Sequence, residues 1–280
     1  MLKSILLLLL SMLSIQFAAS QAKQLFAIFG VAGTSTLRLV FAGLMLAMVF
    51  KPWRVKPGKT LLLYGFSLGL MNLTFYFALQ RIPLGIAVAL EFIGPLSVAI
   101  FYSRKKVDFI WAMLATLGII LILPKTDTPA ALDPMGIFLA LLAGLFWGLY
   151  IIFGKRTGNA IKGGAAASAG MIYAALIVLP VGVGLDADKL YEVSAFPLAL
   201  MVAFFGSALP YSLEMVALRN LPSQTFGVLM SLEPAIAALM GLYFLNETLT
   251  INQWIAVFCV IISSLGSTLT ASMKKTVVNK

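Results

Sequence analysis

A chain of 280 residues that is 61% hydrophobic and only 11% charged, with a mean hydropathy of +1.02, lacks the charged residues to cover a water-facing surface and reads as a polytopic membrane protein. Its net charge of +10 is judged by position along the chain: confined to alternate loops, it is a topology signal and not a nucleic-acid-binding surface. Histidine is absent and Cys259 is the single cysteine, which disfavours His-dependent hydrolases, zinc proteases and haem proteins, so no metal and no cofactor is expected.

Apolar runs of roughly 18–22 residues, about the length that crosses a ~30 Å hydrocarbon core, recur ten times. Their limits are 4–22, 34–50, 60–80, 84–103, 107–124, 134–153, 163–184, 196–217, 223–245 and 251–271. The expected fold is therefore all-α, with ten transmembrane helices and no extramembrane domain. With both termini in the cytoplasm, the inner segments carry fifteen Lys and Arg residues and the outer ones only Lys23, Arg81, Lys125 and Lys189. Residues 1–20 also resemble a cleavable signal peptide, M-L-K-S followed by an apolar run and F-A-A-S. Cleavage would leave nine helices and unequal halves, and Gln16, Ser20 and Gln21 continue a polar spacing through that region, so a cavity-lining span is expected instead.

The chain repeats itself. A-L-Q-R-I-P from Ala78 to Pro83 is echoed by A-L-R-N-L-P from Ala217 to Pro222, and the same offset of 139 residues lays Pro95 on Pro234 and Asp108 on Glu247. This divides the chain into repeats at 1–125 and 134–273, followed by a basic tail at 274–280. Five spans per repeat is an odd number, so the second copy must be inverted, a recurring device of secondary transporters.

Four ionisable residues lie within the runs, Arg38, Glu91, Glu214 and Glu233, and each costs on the order of 2.5–3.5 kcal/mol at a helix centre unless it faces a cavity. Glu91 precedes Pro95 by four residues, so the proline should free the Glu91 carbonyl, while Glu233 directly precedes Pro234; both prolines are expected helix breaks. Asn72 and Tyr76 recur at helical spacing on the third run, Tyr211 joins Glu214 on the eighth, and Gln16 stands on the first. These residues are expected to line a substrate cavity between the repeats, formed chiefly by runs one, three, four, eight and nine. Arg38 has a bland alternative, snorkelling from near a helix end, and Glu214 another, as a helix-packing anchor. The glycines at 144, 148, 163, 164 and 170 read as close helix packing.

No G-x-x-x-x-G-K-[ST], G-x-S-x-G or H-E-x-x-H stands anywhere in the sequence. ATP therefore does not drive the chain directly, and no catalytic residue is expected. A coupled secondary transporter remains, and protonatable glutamates in a low-dielectric pocket supply a means of coupling, because a carboxyl group withdrawn from water binds its proton more tightly.

At this point the sequence resembles the drug/metabolite transporter superfamily, and within its EamA-type branch the bacterial threonine/homoserine exporters. The matching segments include S-I-Q-F-A-A-S-Q-A-K from Ser14, T-L-R-L from Thr36, F-K-P-W-R from Phe50 and P-L-G-I-A-V-A-L-E-F-I-G-P from Pro83. The second half adds L-P-Y-S-L-E-M-V-A-L from Leu209, F-G-V-L-M-S-L-E-P-A from Phe226 and N-E-T-L-T from Asn246. The resemblance implies a multi-pass exporter of small amino acids in the bacterial inner membrane, driven by the proton motive force. Its partners would be the amino acid, protons and the lipid bilayer, and a homodimer is compatible with it. Export of another metabolite or drug is the alternative within the superfamily; a membrane enzyme or lipid flippase is the alternative outside it.

Overall fold

The computed structural model describes residues 2–102, 107–122, 132–161, 164–220 and 229–278. Pro222, the start of the ninth run, Lys125 and the basic residues Arg104, Lys105, Lys106, Lys162 and Lys280 lie outside them. The described residues contain helices and no strand. They are α1 (Leu2–Phe50), α2 (Lys59–Leu79), α3 (Leu84–Glu91), α4 (Ile93–Tyr102), α5 (Asp108–Ile122) and α6 (Pro134–Ala160), then α7 (Gly164–Asp186), α8 (Phe196–Ala203), α9 (Leu209–Asn220), α10 (Glu233–Leu245) and α11 (Ile251–Val278). Among the described residues five stretches are long and apolar enough to cross a membrane: α1, α2, Pro134–Gly158 in α6, Gly164–Lys189, and Val193–Glu214, which spans α8 and the start of α9.

Large apolar side chains face outward, as lipid allows, while many polar ones are withdrawn into an otherwise apolar interior. Phe109, Met113, Phe138, Leu145 and Phe258 are exposed, whereas Ser11, Ser20, Ser35, Gln16, Arg38, Asn72, Glu91 and Glu233 are buried. Leu8 and Met12 are wholly buried against Leu229, Met230 and Ile236, so the first span is packed into the interior.

The first two apolar runs are joined in one helical element, and residues 23–33, expected to connect them, are themselves helical except at Gly30. There φ is 70° and ψ 173°, a conformation that glycine adopts at no steric cost. The chain must double back at this point. Ser14 Oγ donates to the carbonyl of Phe205 at 2.6 Å and Arg38 Nη2 to that of Gly206 at 2.6 Å, although 24 residues of straight helix would hold them about 36 Å apart. The helix that restarts after Gly30 needs an acceptor for its first amides, which glycine cannot supply. Asp186, at the end of α7, supplies it: Oδ2 accepts from the Gly33 amide at 3.0 Å, and Oδ1 pairs with Lys189 at 3.1 Å. A side chain at position 30 would run into that carboxylate.

The fourth run is likewise not one helix. It breaks at Phe92, and the ninth breaks at Ser231–Leu232, three residues ahead of Pro95 and Pro234 respectively, so each proline falls in the first turn of the helix that follows. Beside the first break, Gly94 and Gly144 bring the chain and α6 together so closely that a methyl group on Gly94 would strike the Gly144 backbone and one on Gly144 the backbone of Glu91. The Glu91 carbonyl points at this crossing. At the other end of the chain, α11 continues to Val278, so the expected tail from 274 is helical over most of its length.

Two polar ties link distant segments. Asp133 caps α6 by accepting from the Met135 amide at 2.9 Å and from Arg81 at 2.9 Å; the bond from the Arg81 guanidinium holds its carboxyl below the usual carboxylate range. Glu247 receives Lys23 on Oε1 and the Leu84 amide, at the start of α3, on Oε2 at 2.7 Å.

Candidate functional site

A cavity of about 640 Å³ opens between the helices. Its wall includes Gln16, Arg38, Asn72, Glu91, Tyr211, Glu214 and Glu233, and Pro95 stands on it beside Glu91. Tyr76 lies one layer behind the wall, wholly buried, with its hydroxyl on Arg38. Lys155, at the exposed end of the lining, marks the way out.

Local sequence explains how Arg38 is held. Between α8 and α9 the chain widens into a π turn over Phe204–Ala208, a feature common at functional sites. Pro210 has no N–H to give to the Gly206 carbonyl one turn back, so that oxygen is free to accept from Arg38. The guanidinium is thus clamped on three sides: Nη2 on Gly206, Nε on Ser207 Oγ at 3.1 Å and Nη1 on the Tyr76 hydroxyl at 3.0 Å. Its carbon stands 5.3 Å from the Tyr76 ring centre, and this network excludes snorkelling. A guanidinium has five N–H groups, so two remain beyond these three bonds.

Opposite in charge is the pair Glu233 and Gln16. Glu233 opens α10, where the positive end of a helix favours a carboxylate. Its Oε1 accepts from Gln16 Nε2 at 3.1 Å, while its Oε2 and the Gln16 Oε1 are both buried without a hydrogen-bond partner. Glu91, the last residue of α3, is 8% exposed and feels the charges of both Glu233 and Arg38. Nearer the exposed end, Glu214 accepts from Ser11 Oγ at 2.8 Å. Asn72 turns its amide nitrogen back to the Leu68 carbonyl of its own helix at 2.9 Å.

The sixth run contributes more than was expected. Trp147, Tyr150, Ile151 and Gly154 of α6 line the cavity, with Tyr64 of α2 stacked on Tyr150 at 5.1 Å between ring centres. Their spacing of three and four residues is a helical stripe that could have been read. Among the described residues no group of three or more His, Cys, Asp or Glu side chains is placed to hold a metal ion.

The EamA-like transporter family matches residues 134–269. The threonine/homoserine exporter RhtA of Salmonella typhimurium is 51% identical over 270 residues, covering 95% of this chain and 91% of the relative. This chain belongs to the EamA-like transporter family. The exporter RhtA of Escherichia coli is 50% identical over the same length, and an uncharacterized inner membrane transporter of that species, YedA, is 26% identical over 199 residues, 67% of this chain and 64% of the relative. A solved structure described as "Crystal structure of protein" shares the fold, with a TM-score of 0.65 at 14% identity over 96% of this chain and 98% of that one. As an EamA-like protein the chain is a transporter and not an enzyme.

Proposed function

We propose that this protein is a secondary exporter of threonine, homoserine and related small amino acids across the bacterial inner membrane, in exchange for protons. The observation that carries the substrate class is the pairing, within one cavity, of a clamped guanidinium with two N–H groups to spare and an unpartnered carboxylate oxygen. A zwitterion presents the complement, a carboxylate for Arg38 and an ammonium for Glu233 and Glu91. The names of the 51% and 50% identical relatives point to the same solutes. Uptake of labelled amino acids by inverted vesicles with an acid interior is the test. Threonine and homoserine should accumulate at least tenfold over vesicles without the protein, and accumulation of neither would overturn this assignment.

The architecture we propose is ten spans in two inverted repeats, 1–125 and 134–273, with both termini cytoplasmic. The α1 hairpin supplies spans one and two, α3–α4 span four and α8–α9 span eight. Helix neighbours support this reading, because they exchange in pairs as a twofold axis demands. Span three meets six and seven while span eight meets one and two; four meets six while nine meets one; two meets seven, four meets nine and five meets ten. The helix breaks at Phe92 and Ser231 also stand at the offset of 139 found in the sequence. With Lys155 on the cytoplasmic side, the cavity opens inward, and Glu247, joined to Lys23 and to the start of α3, closes the outer side. A topology reporter fused after Lys280 should be active only in the cytoplasm; periplasmic activity would remove the inverted repeat.

A further inference from the structure

Gln16 is 2% exposed, on the cavity wall, and its amide oxygen has no hydrogen-bond partner. The orientation of the amide follows from its neighbour: when Glu233 is ionised, the state that receives an ammonium, only the nitrogen can face Oε1 at 3.1 Å without two oxygens repelling, so the oxygen faces away. A buried acceptor left unpaired is costly, and an occupant that brings a donor removes that cost. Two kinds of donor are at hand in a hydroxyl-bearing amino acid. The ammonium is drawn to the charged acceptors, Glu233 Oε2 and the Glu91 carboxylate, which leaves a neutral acceptor for a neutral donor.

We infer that Gln16 reads the side-chain hydroxyl of the substrate and is the residue that separates threonine and homoserine from apolar amino acids of the same size. This rests on the proposed export of these solutes and adds the basis of choice among them. A pocket built around a hydrogen bond to a hydroxyl rejects the analogue lacking it, because the protein's own polar atom is then stranded. One compound is that analogue for both substrates: removing the hydroxyl from either threonine or homoserine gives 2-aminobutyrate.

The experiment measures half-saturation for threonine, homoserine and 2-aminobutyrate by exchange in inverted vesicles, for the parental protein and for Gln16→Met, which keeps length and removes the acceptor. The parental protein should prefer each hydroxylated substrate over 2-aminobutyrate by about tenfold or more. Gln16→Met should bring that preference within about twofold, with 2-aminobutyrate still carried. A substitution that weakens all three solutes equally would show Gln16 merely to position Glu233, and overturns the inference. If Gln16→Met carries nothing, Gln16→Asn takes its place, with an amide set back by one methylene. A preference lowered at least threefold then supports the inference and an unchanged one overturns it. Parental vesicles that carry none of the three solutes would overturn the export proposal, and this inference with it; parental vesicles that carry threonine, with the preference unmoved in the variants, overturn this inference alone.

Discussion

Replacing Arg38 by Met should raise the half-saturation concentration for threonine at least a hundredfold. The side chain makes three hydrogen bonds to protein groups and offers two further N–H groups to the cavity, so its loss removes the carboxylate's partner and strands the Gly206 carbonyl together. Truncating one partner of a buried, hydrogen-bonded charge pair costs on the order of 2–5 kcal/mol, and 2.7 kcal/mol or so already corresponds to a hundredfold. Arg38→Lys should fail almost as badly. An ammonium restores charge but has no planar fork, and it cannot reach Ser207, Tyr76, Gly206 and a ligand at once. Threoninol, which has the ammonium and hydroxyl but no carboxylate, separates the ligand's share from the protein's. It should be a poor substrate of the parental protein and be little affected by Arg38→Met. An Arg38→Met protein that is inserted normally and carries threonine with parental half-saturation would remove Arg38 from the site.

Glu91→Gln and Glu233→Gln should each abolish export driven by a pH gradient, bringing accumulation in inverted vesicles down to the level seen without a gradient. Both residues face one cavity, and two carboxylates in surroundings of low dielectric repel unless a proton or another cation joins them. On the proposed antiport, a substrate ammonium and a proton compete for this place, so that protonation from outside expels the amino acid and loss of the proton to the cytoplasm restores the site. The glutamine variants keep the shape, and at position 233 they also keep an oxygen for the Gln16 amide. Insertion should accordingly be normal, and a loss of transport would report on charge alone. If both variants accumulate threonine at the parental rate with the parental pH dependence, coupling must be sought at Glu214, which shares the cavity but bonds to Ser11 nearer its exposed end.

The cavity wall was legible where polarity contrasts with surroundings. Gln16, Arg38, Asn72, Glu91, Tyr211, Glu214 and Glu233 all stand out in apolar helices, and all face one space. Trp147 and Tyr150 escaped notice because an aromatic ring in an apolar helix carries no contrast; only its neighbours decide whether it meets lipid or a cavity. That Tyr76 stands one layer behind the wall is not legible for a related reason, since helical spacing gives a direction but not a depth. The π turn at Phe204–Ala208 is written in no local pattern, although Pro210 marks the carbonyl that Arg38 takes. The helices themselves were expected from the ten apolar runs, but their limits were not, because a helix does not end where hydrophobicity does. Nothing in the local sequence sets Gly30 apart among the 23 glycines.

That turn also orders events in time. The Gly33 amide finds its acceptor on Asp186, 153 residues further along the chain. At synthesis rates of about 5–20 residues per second, the acceptor is made on the order of ten seconds or more after the amide. For most of that interval the first hairpin is complete in sequence but lacks the side chain that caps its second arm. The apex of the N-terminal pair of helices is therefore fastened by a residue from the other half of the protein, and the newly made first half has no means of fixing that apex in this way on its own.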